Sequence, residues 1–332
     1  MMRKAATICI LLALICSFVA CSPAETTARG FSMGSDYYVT YDYDGDLDQE
    51  IADLFDSVES AYSTRVSSSL IARLNAASAG EIVSVTDAEK EILSKVFSIA
   101  AQTNYAFTPT ILPLVKAWGF DPPYDMNGET SPAETSITAA QYISTIDQFT
   151  LYSAMNMVTK RSNEACLDLG AAMKGYAVGM VADRLREKSV GSALVYLGGT
   201  IAAVGRSYEI GVTAPRDSDE SFAFRFTLDE GEICATSGDY ERYYEYNGKR
   251  YHHIIDVNTG YPASSGVISA TIVSSDGMLA DAFATAVVVL GVEKGVALLK
   301  KYGLKGALVT EEKKVVTVGL TVTIKDSSYE IA

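Results

Sequence analysis

The second half of the chain contains many short apolar runs of strand length, and this feature restricts the possible folds most strongly. The runs lie at 193–197, 201–204, 208–212, 222–228, 251–255, 267–274, 306–310 and 314–322. Helical spacing of apolar residues is found instead at 46–62, 172–188 and 278–301. Because helices and strands do not alternate regularly, the sequence predicts an α+β fold rather than a doubly wound parallel sheet.

The length of 332 residues is sufficient for a large core, and no segment after residue 30 has the length of a linker between independent domains. We therefore expect one folded unit over residues 31–328. Within this unit, Thr86 and Glu89 have the spacing of a capping box. This spacing predicts a helix that begins directly after Thr86.

The chain is strongly acidic, with 41 Asp and Glu against 27 Lys and Arg and a net charge of −14. Proteins that bind nucleic acid present clusters of Lys and Arg to the phosphates, so this balance argues against a nucleic-acid partner. The chain has only 2 His, which are adjacent, and its 5 Cys do not show zinc-finger spacing. These counts exclude a His-rich metal site and a zinc module.

The N-terminus has the pattern of an export signal. A basic start precedes an apolar stretch at 5–20 that is too short for a stable transmembrane helix. The sequence Phe18-Val19-Ala20-Cys21 resembles a bacterial lipobox, in which a signal peptidase cuts before an acylated Cys. We expect a lipoprotein signal peptide at 1–20, a lipid anchor at Cys21 and a tether at 21–30, with the protein held outside the cytoplasm. The alternative is an ordinary secreted protein in which Cys21 occurs by chance.

Two glycine-containing segments are candidates for ligand binding. Residues 168–177 contain a Gly turn that leads into a helix, and Lys174 would add positive charge to that helix start, so a phosphate could bind there. An ordinary strand-to-helix joint with a surface Lys explains the same pattern. The paired glycines within 197–200 fit either a tight bend or a close approach of another group to the backbone.

Two later segments carry groups that are capable of chemistry. His252 and His253 would face opposite sides of a strand, so only one of them can serve a given pocket. A structural role for both is the alternative. Asp281 and Thr285 share one face of an otherwise apolar helix, and a carboxylate with a hydroxyl suits Mg²⁺, which prefers oxygen ligands. The alternative for Asp281 is a cap at the start of that helix.

Together these segments resemble the ApbE family of FAD:protein FMN transferases. The motifs that carry the resemblance lie at 33–35, 63–64, 73–75, 113–120, 168–177, 197–199, 235–243, 252–262 and 279–285. The resemblance extends over nearly all of residues 31–305. It implies an ApbE-like architecture, related to the T-fold, in which mixed sheets flanked by helices form a single catalytic unit. Many members of the family are exported lipoproteins, which agrees with the N-terminal signal.

The resemblance implies that FMN is transferred from FAD to a Thr or Ser hydroxyl of an acceptor flavoprotein, with Mg²⁺ as cofactor and AMP as product. The acceptor would be a subunit of an exported or membrane redox complex. The Mg²⁺ ligands would be the backbone carbonyl of Ala171 and the side chains of Asp281 and Thr285. The residues that would contact FAD are Met33, Ala106, Phe107, Thr108, Asp168, Lys174, His253 and Ile255. The catalytic residues would be Lys174, which shares the phosphate charge, and His253 or Asp281, either of which could take the proton of the hydroxyl.

Three positions depart from the residues that are usual in the family. Arg65 stands where a Tyr is common, Thr108 where an Asp is common, and Thr200 where an Asn is usual. Arg65 and Thr108 lie where the flavin or the adenine is expected. A second hypothesis is therefore an FAD pyrophosphatase that uses the same site to form FMN and AMP. A third hypothesis is a flavin-binding lipoprotein without turnover, but such a binder would not need a metal at the pyrophosphate.

Overall fold

The computed structural model describes residues 25–121, 131–216 and 220–332, so the predicted signal peptide and Cys21 lie outside the described residues. Within these ranges the helices are α1 (Asp48–Tyr62), α2 (Leu70–Ala76), α3 (Asp87–Gln102), α4 (Leu112–Ala117), α5 (Glu134–Ile143), α6 (Gly170–Glu187) and α7 (Gly277–Tyr302). The strands are β1 (Thr26–Ser32), β2 (Ser35–Asp42), β3 (Val83–Ser84), β4 (Phe149–Tyr152), β5 (Met157–Lys160), β6 (Ser192–Leu197), β7 (Thr200–Val204), β8 (Tyr208–Thr213), β9 (Phe222–Leu228), β10 (Ile233–Gly238), β11 (Tyr243–Tyr246), β12 (Lys249–His252), β13 (Ile255–Asp256), β14 (Tyr261–Pro262), β15 (Val267–Ser274), β16 (Lys305–Thr310), β17 (Lys314–Val318), β18 (Val322–Ile324) and β19 (Glu330–Ile331).

Nine strands form the main sheet, in the order β1-β2-β6-β7-β10-β15-β16-β17-β19. Neighbouring strands are antiparallel except β17 and β19, which run parallel. Near the centre of the sheet, β15 is buried on both faces because alternate side chains enter two separate cores. Ala270 and Ile272 pack in the core beneath the helices, whereas Ile268 and Val273 pack in the core on the opposite face. This double burial explains why β15 is a continuous apolar run in the sequence.

Helices α1, α6 and α7 pack on one face of the main sheet. Helices α6 and α7 touch through their backbones, because each has a glycine at the point of contact. A Cβ atom on Gly175 would lie 1.9 Å from the Gly277 carbonyl oxygen, and one on Gly277 would lie 2.1 Å from the Gly175 carbonyl oxygen. This contact holds the first turns of the two helices together.

Among the helices in the described ranges, α7 alone is long and apolar enough to cross a membrane, with a mean hydropathy of 1.9. In the structure 56% of that apolar segment is buried inside the protein, where the helix packs against β10 and β15. Its composition is therefore explained by its position in the main core.

The opposite face of the main sheet is covered by a second sheet, in the order β18-β9-β8. A third and smaller core joins α4 and α5 to the β11–β12 hairpin. In this core Trp118 stacks on Tyr251 and Tyr251 stacks on Tyr244, each with ring centroids 5.4 Å apart. The architecture is thus α+β, with mixed sheets flanked by helices, which confirms the predicted fold class.

The predicted limits of the folded unit, residues 31 and 328, are too narrow. Strand β1 begins at Thr26 and pairs with β2 along its whole length, so residues 26–30 belong to the sheet and not to a tether. At the other end, β19 pairs with β17 and extends the unit to Ile331. An edge strand is covered along only one side, so the exposed or half-buried Thr26, Thr27 and Gly30 of β1 resemble a linker in the sequence.

Two predicted strands are interrupted. The run at 251–255 divides because β12 ends at His252, and the chain then leaves the hairpin to pair as β13 with β14. The run at 314–322 divides because β17 ends at Val318, and Gly319, with a φ of 59°, turns the chain into β18 of the second sheet. In the second case Val318 is buried in one core and Val322 in another. Because both residues are buried, the apolar pattern of the sequence continues across the break.

The predicted helices agree with the structure to within two residues at each end. The structure also contains the predicted capping box at the start of α3, where the Glu89 amide donates to the Thr86 hydroxyl and the Thr86 amide donates to the Glu89 carboxylate. These local signals could be read directly because the interacting groups are close in the sequence.

Candidate active site

A cleft of about 410 Å³ opens at the end of the main sheet where β1 turns into β2, β6 turns into β7 and β10 ends. The start of α6 contributes to it, as do Asp281 and Thr285 of α7, the end of α1 and the segment 106–108. The Thr236 amide donates to the Gly199 carbonyl at 3.1 Å, which ties the end of β10 to the β6–β7 turn.

The structure brings every residue of the predicted site to this cleft. The residues that line it are Met33, Ala106, Phe107, Thr108, Asp168, Ala171, Lys174, His253, Ile255, Asp281 and Thr285. Arg65, which departs from the family pattern, also lines the cleft and is exposed. These residues come from distant stretches of the sequence, so the tertiary fold assembles the site.

We call Ala171, Gly175, Gly277, Asp281 and Thr285 the floor of the cleft. The side chain of Asp281 is buried, and its Oδ2 accepts a hydrogen bond from the Gly175 amide at 3.0 Å. In an uninterrupted helix the Gly175 amide would donate a hydrogen bond to the Ala171 carbonyl. Here Ala171 has a non-helical backbone, with φ −84° and ψ 16°. The Asp281 carboxylate is therefore bound to the backbone of α6, and Ala171 at the kink lines the same cleft.

Lys174 lies beside the floor and offsets its negative charge. Burial raises the pKa of the Asp281 carboxyl, and the Lys174 ammonium opposes that shift. A Cβ atom on Gly198 would approach the Lys174 Cδ to 3.1 Å. Gly198 and Gly199 both have positive φ, at 49° and 89°, so the paired glycines serve the tight turn and the close approach of Lys174 together.

The donors predicted for Mg²⁺ are all oxygens. Thr285 lies one helical turn after Asp281, and its hydroxyl is 3.2 Å from the Ser237 hydroxyl. Within the described residues, His, Cys, Asp and Glu side chains do not gather in groups of three or more that could hold a metal. The predicted Mg²⁺ ligands do not require a cluster of these side chains, since Asp281 is the only His, Cys, Asp or Glu residue among them. A buried carboxylate with a hydroxyl and a backbone carbonyl nearby fits Mg²⁺ chemically.

The cap of α7 is Asp276 and not Asp281. The Asp276 side chain accepts a hydrogen bond from the Leu279 amide at 3.3 Å and forms an ion pair with Lys95 at 2.7 Å. This arrangement excludes the structural alternative for Asp281, whose carboxylate lies a full turn further along the helix.

Of the two His residues, only His253 lines the cleft. His252 is buried and its Nε2 donates to the Ala263 carbonyl at 2.9 Å, which is a structural role. The Nδ1 of His253 donates to the Arg242 carbonyl at 3.3 Å, so Nε2 carries no proton in the neutral ring. Burial and the charge of Arg242 hold the pKa of the His253 imidazole well below its usual range. His253 is therefore a neutral group that can accept a proton.

We call residues 241–255 the hairpin wall of the cleft. Strands β11 and β12 form a two-stranded sheet of their own, and the wall packs mainly on the third core, with Ile254 alone buried in the main core. Phe120 links the core to the wall, with its ring centroid 5.7 Å from that of Tyr244 and 6.5 Å from that of His253. At the start of the wall, Arg216 forms a two-pronged ion pair with the buried Asp239, at 2.8 and 2.7 Å.

Two acidic residues of the cleft were missed by the sequence analysis. Glu241 lines the cleft near Lys174, and burial raises the pKa of its carboxyl. Its place in the motif after β10 was the signal that could have identified it. Glu59 accepts hydrogen bonds from the Met33 amide at 2.8 Å and the Ser32 hydroxyl at 3.1 Å, and Met33 has a φ of 52°. Glu59 gave no signal because it occupies an ordinary polar position of α1.

The two stretches expected to contact FAD on this side of the cleft are tied together. The Asp168 amide donates to the Pro109 carbonyl at 2.7 Å. The Thr108 and Thr110 hydroxyls are 2.7 Å apart, and both side chains are buried. The segment 106–110 and the turn into α6 therefore form one continuous piece of the cleft.

Comparison with known proteins shows close relatives. The model of the ApbE family matches residues 33–308. A Vibrio cholerae protein named FAD:protein FMN transferase is 30% identical over 289 residues, which cover 83% of this chain and 85% of that protein. A Klebsiella pneumoniae protein of the same name is 30% identical over 297 residues, covering 88% and 92%. The crystal structure of the Pseudomonas stutzeri flavinyl transferase ApbE in its apo form has a TM-score of 0.76 at 30% identity, covering 91% of this chain and 95% of that one.

Proposed function

The chain belongs to the ApbE family, and we propose that it transfers FMN from FAD to a Thr or Ser hydroxyl of an acceptor flavoprotein, in a magnesium-dependent reaction that releases AMP. One observation carries the proposal: a neutral imidazole, an ammonium group and a buried carboxylate, from His253, Lys174 and Asp281, line the same cleft. Transfer from a pyrophosphate needs a proton acceptor, positive charge at the phosphates and a ligand for a cation.

His253 supplies the proton acceptor. With Nδ1 engaged by the Arg242 carbonyl, Nε2 is the ring nitrogen that can take the proton of the acceptor hydroxyl. The hydroxyl oxygen bonds to the FMN phosphorus while the bond from that phosphorus to the AMP oxygen breaks. Asp281 is the other candidate for this proton, but its hydrogen bond from Gly175 and its position in the predicted cation site favour His253 for the role.

The residues that would hold Mg²⁺ are Ala171, Asp281 and Thr285, through a carbonyl, a carboxylate and a hydroxyl oxygen. When bound, Mg²⁺ neutralises negative charge on the pyrophosphate and on the departing AMP. Lys174 shares this charge from the first turn of α6, where the positive end of the helix dipole also favours an anion. The FAD molecule would extend from there along Asp168 and the segment 106–108 to Met33, with Ile255 and His253 on the hairpin wall.

The same proposal includes an extracytoplasmic location. The N-terminal pattern supports removal of residues 1–20 and attachment of lipid at Cys21. The acceptor would then be an exported protein or a subunit of a membrane redox complex that carries FMN on a Thr or Ser. Replacing Cys21 with Ser should move the protein from the detergent phase to the aqueous phase. An unmodified mature N-terminus in the natural protein would show that the lipoprotein assignment is wrong.

The decisive experiment combines the protein, FAD, Mg²⁺ and a purified flavoprotein subunit whose FMN-accepting residue is a Thr. We expect the subunit to gain the mass of one FMN less one water as AMP appears in equal amount. A subunit with Thr replaced by Val should gain no mass, and EDTA should stop both products. AMP formation without any mass gain would refute the transferase assignment.

That last outcome would favour the pyrophosphatase, in which water replaces the acceptor hydroxyl. Arg65 is the observation behind this second candidate, since it places an exposed charged side chain on the cleft and could hold water there. The two functions differ in one readout: an acceptor accelerates FAD cleavage by a transferase and leaves cleavage by a pyrophosphatase unchanged. Because water is present at roughly 55 M, a transferase should still cleave FAD slowly without an acceptor, whereas a pyrophosphatase should cleave it rapidly.

A further inference from the structure

The segment that leads into α6 is held by side chains outside the cleft. Residues 163–169 contain no helix or strand, yet they carry Asp168 to its place on the cleft. A segment of this kind keeps a defined path only if other groups satisfy its backbone. Two residues, Asn75 and Lys160, provide the partners of four of these backbone groups.

Asn75, in the last turn of α2, binds both backbone groups of Leu167. Its Nδ2 donates to the Leu167 carbonyl at 2.9 Å, and its Oδ1 accepts from the Leu167 amide at 2.7 Å. This is the pair of bonds that a neighbouring antiparallel strand would supply. Leu167 itself is fully buried, so the position of the next residue, Asp168, is closely fixed.

Lys160, at the end of β5, secures the other side of the segment. Its side chain is buried, and its Nζ donates to the carbonyls of Asn75, Asn163 and Ala165 at 2.6, 3.1 and 3.3 Å. An ammonium group has three protons to donate, and three carbonyl oxygens accept them. Lys160 thus fixes the backbone of Asn75 and the segment that Asn75 holds.

We propose that Asn75 is a positioning residue for FAD, acting through Asp168, and that Lys160 holds Asn75 in place. Asp168 begins the turn into α6, where its Oδ1 accepts a hydrogen bond from the Gly170 amide at 2.7 Å. Displacing Leu167 would move Asp168, while Ala171 and Asp281 would stay in position through the α6–α7 contact. The inference rests on the proposed function, because it requires that Asp168 borders bound FAD. It explains why Asn75 belongs to a family motif although it does not line the cleft.

The test is the dissociation constant for FAD, measured on the full chain by the change in flavin fluorescence with EDTA present, so that no turnover occurs. We expect Asn75→Ala to raise the constant about tenfold, since two hydrogen bonds are lost. The double variant Asn75→Ala/Asp168→Ala should bind FAD as Asp168→Ala does, because the two residues act in series. Full additivity, or an unchanged constant in Asn75→Ala, would overturn the proposal.

Two further variants separate positioning from general loss of stability. Asn75→Asp keeps the shape of the side chain and the acceptor for the Leu167 amide, but it turns a carboxylate oxygen towards the Leu167 carbonyl oxygen, so it should weaken FAD binding at least as much as Asn75→Ala. Asn156→Ala is the matched control, because Asn156 also makes two side-chain hydrogen bonds, with Lys90 and Asp87, away from the cleft. It should lower the melting temperature and leave FAD binding unchanged; FAD binding weakened as much as in Asn75→Ala would contradict positioning. Failure of the proposed function would appear separately, as no FMN on the acceptor with the natural protein.

Discussion

The floor of the cleft and the hairpin wall are built in different ways. The floor belongs to α6 and α7, which pack into the largest core of the molecule and touch through Gly175 and Gly277. The hairpin wall packs mainly on a small aromatic core around Trp118, with Ile254 as its one residue in the largest core, and Tyr243 on it is 39% exposed. The floor therefore lies in the interior of the protein, whereas the hairpin wall lies at its surface.

This difference assigns different tasks to the two parts. Groups that stabilise charge in a reaction are effective when they are held in fixed positions, which suits the floor. Under the proposed function, the site would have to admit a second protein and release AMP, and a part with less support from the main core, such as the wall, suits that task. The contrast predicts that changes in the floor lower the rate of FMN transfer or the free energy of unfolding. Changes in the wall should instead alter how the reaction depends on proton transfer, and therefore on pH.

The largest effect is expected for Asp281→Asn. The variant keeps the shape of the side chain and an acceptor for the Gly175 amide but removes the negative charge that would bind Mg²⁺. FMN transfer should fall about 10³-fold, while the melting temperature stays the same or rises because a buried charge is removed. The control is Asp276→Asn on the same helix, which alters the cap and should retain transfer. Equal activity in Asp281→Asn and the natural protein would remove Asp281 from the metal site.

The second effect concerns stability and compares two glycines of α6. Gly175→Ala should destabilise the protein by about 3 kcal/mol, because its Cβ would meet the backbone of α7. Gly179→Ala, one turn later, meets only the Ile233 Cδ1 at 3.6 Å and should stabilise the helix by roughly 0.5–1 kcal/mol. Urea unfolding of both variants measures the difference. Similar stabilities would mean that the helices can separate without cost, and the floor would not be rigid.

A third test addresses the hairpin wall through His253→Gln, which should slow transfer about 10²-fold. In the natural protein the pKa of His253 is lowered, so the base stays neutral and kcat/KM should decline only well below pH 6.5. The unfolded chain binds this proton near pH 6.5 and the folded chain only at lower pH, so stability is lost as the pH falls. His253→Gln should lose less stability between pH 7 and 5 than the natural protein. Equal acid sensitivity of both proteins would contradict the burial of a neutral imidazole.

The smallest of these effects is expected at Lys174, which lies beside the floor. Lys174→Ala should raise KM for FAD and slow transfer about tenfold, because one of several positive contributions at the phosphates is lost. Lys174→Arg should recover part of the loss, since the charge returns on a planar group with different geometry. Steady-state kinetics at fixed Mg²⁺ measure both. Unchanged kinetics in Lys174→Ala would show that the ammonium serves only the helix surface.

Much of the fold could be predicted because its signals are local. The spacing of apolar residues defined α1, α6 and α7, and the pair Thr86 and Glu89 marked the start of α3. Many of the cleft residues could be named in advance because they stand in recognisable motifs, whereas Glu59 stands at an ordinary polar position of α1. The sequence could not predict which sheet each half of a divided apolar run joins. That choice depends on cores formed by distant parts of the chain.

The contacts that support the site could not be predicted from the sequence, because they also join distant parts of the chain. The contact between Gly175 and Gly277 joins positions that are far apart in the chain, and both occur in helices where glycine is otherwise unfavourable. Lys160 resembles any surface lysine until the fold surrounds it with carbonyl groups. Such residues become visible only when the hydrogen-bond partners of each buried group are counted.

The early start of β1 would limit how far the domain could move from a lipid anchor at Cys21. The first strand of the sheet begins at Thr26, only five residues after Cys21. Five residues span at most about 18 Å even when fully extended. With lipid at Cys21, the domain would stay near the bilayer surface and could not contact proteins far from the membrane. The proteins that it modifies would then have to present their Thr or Ser at nearly the same height above the membrane.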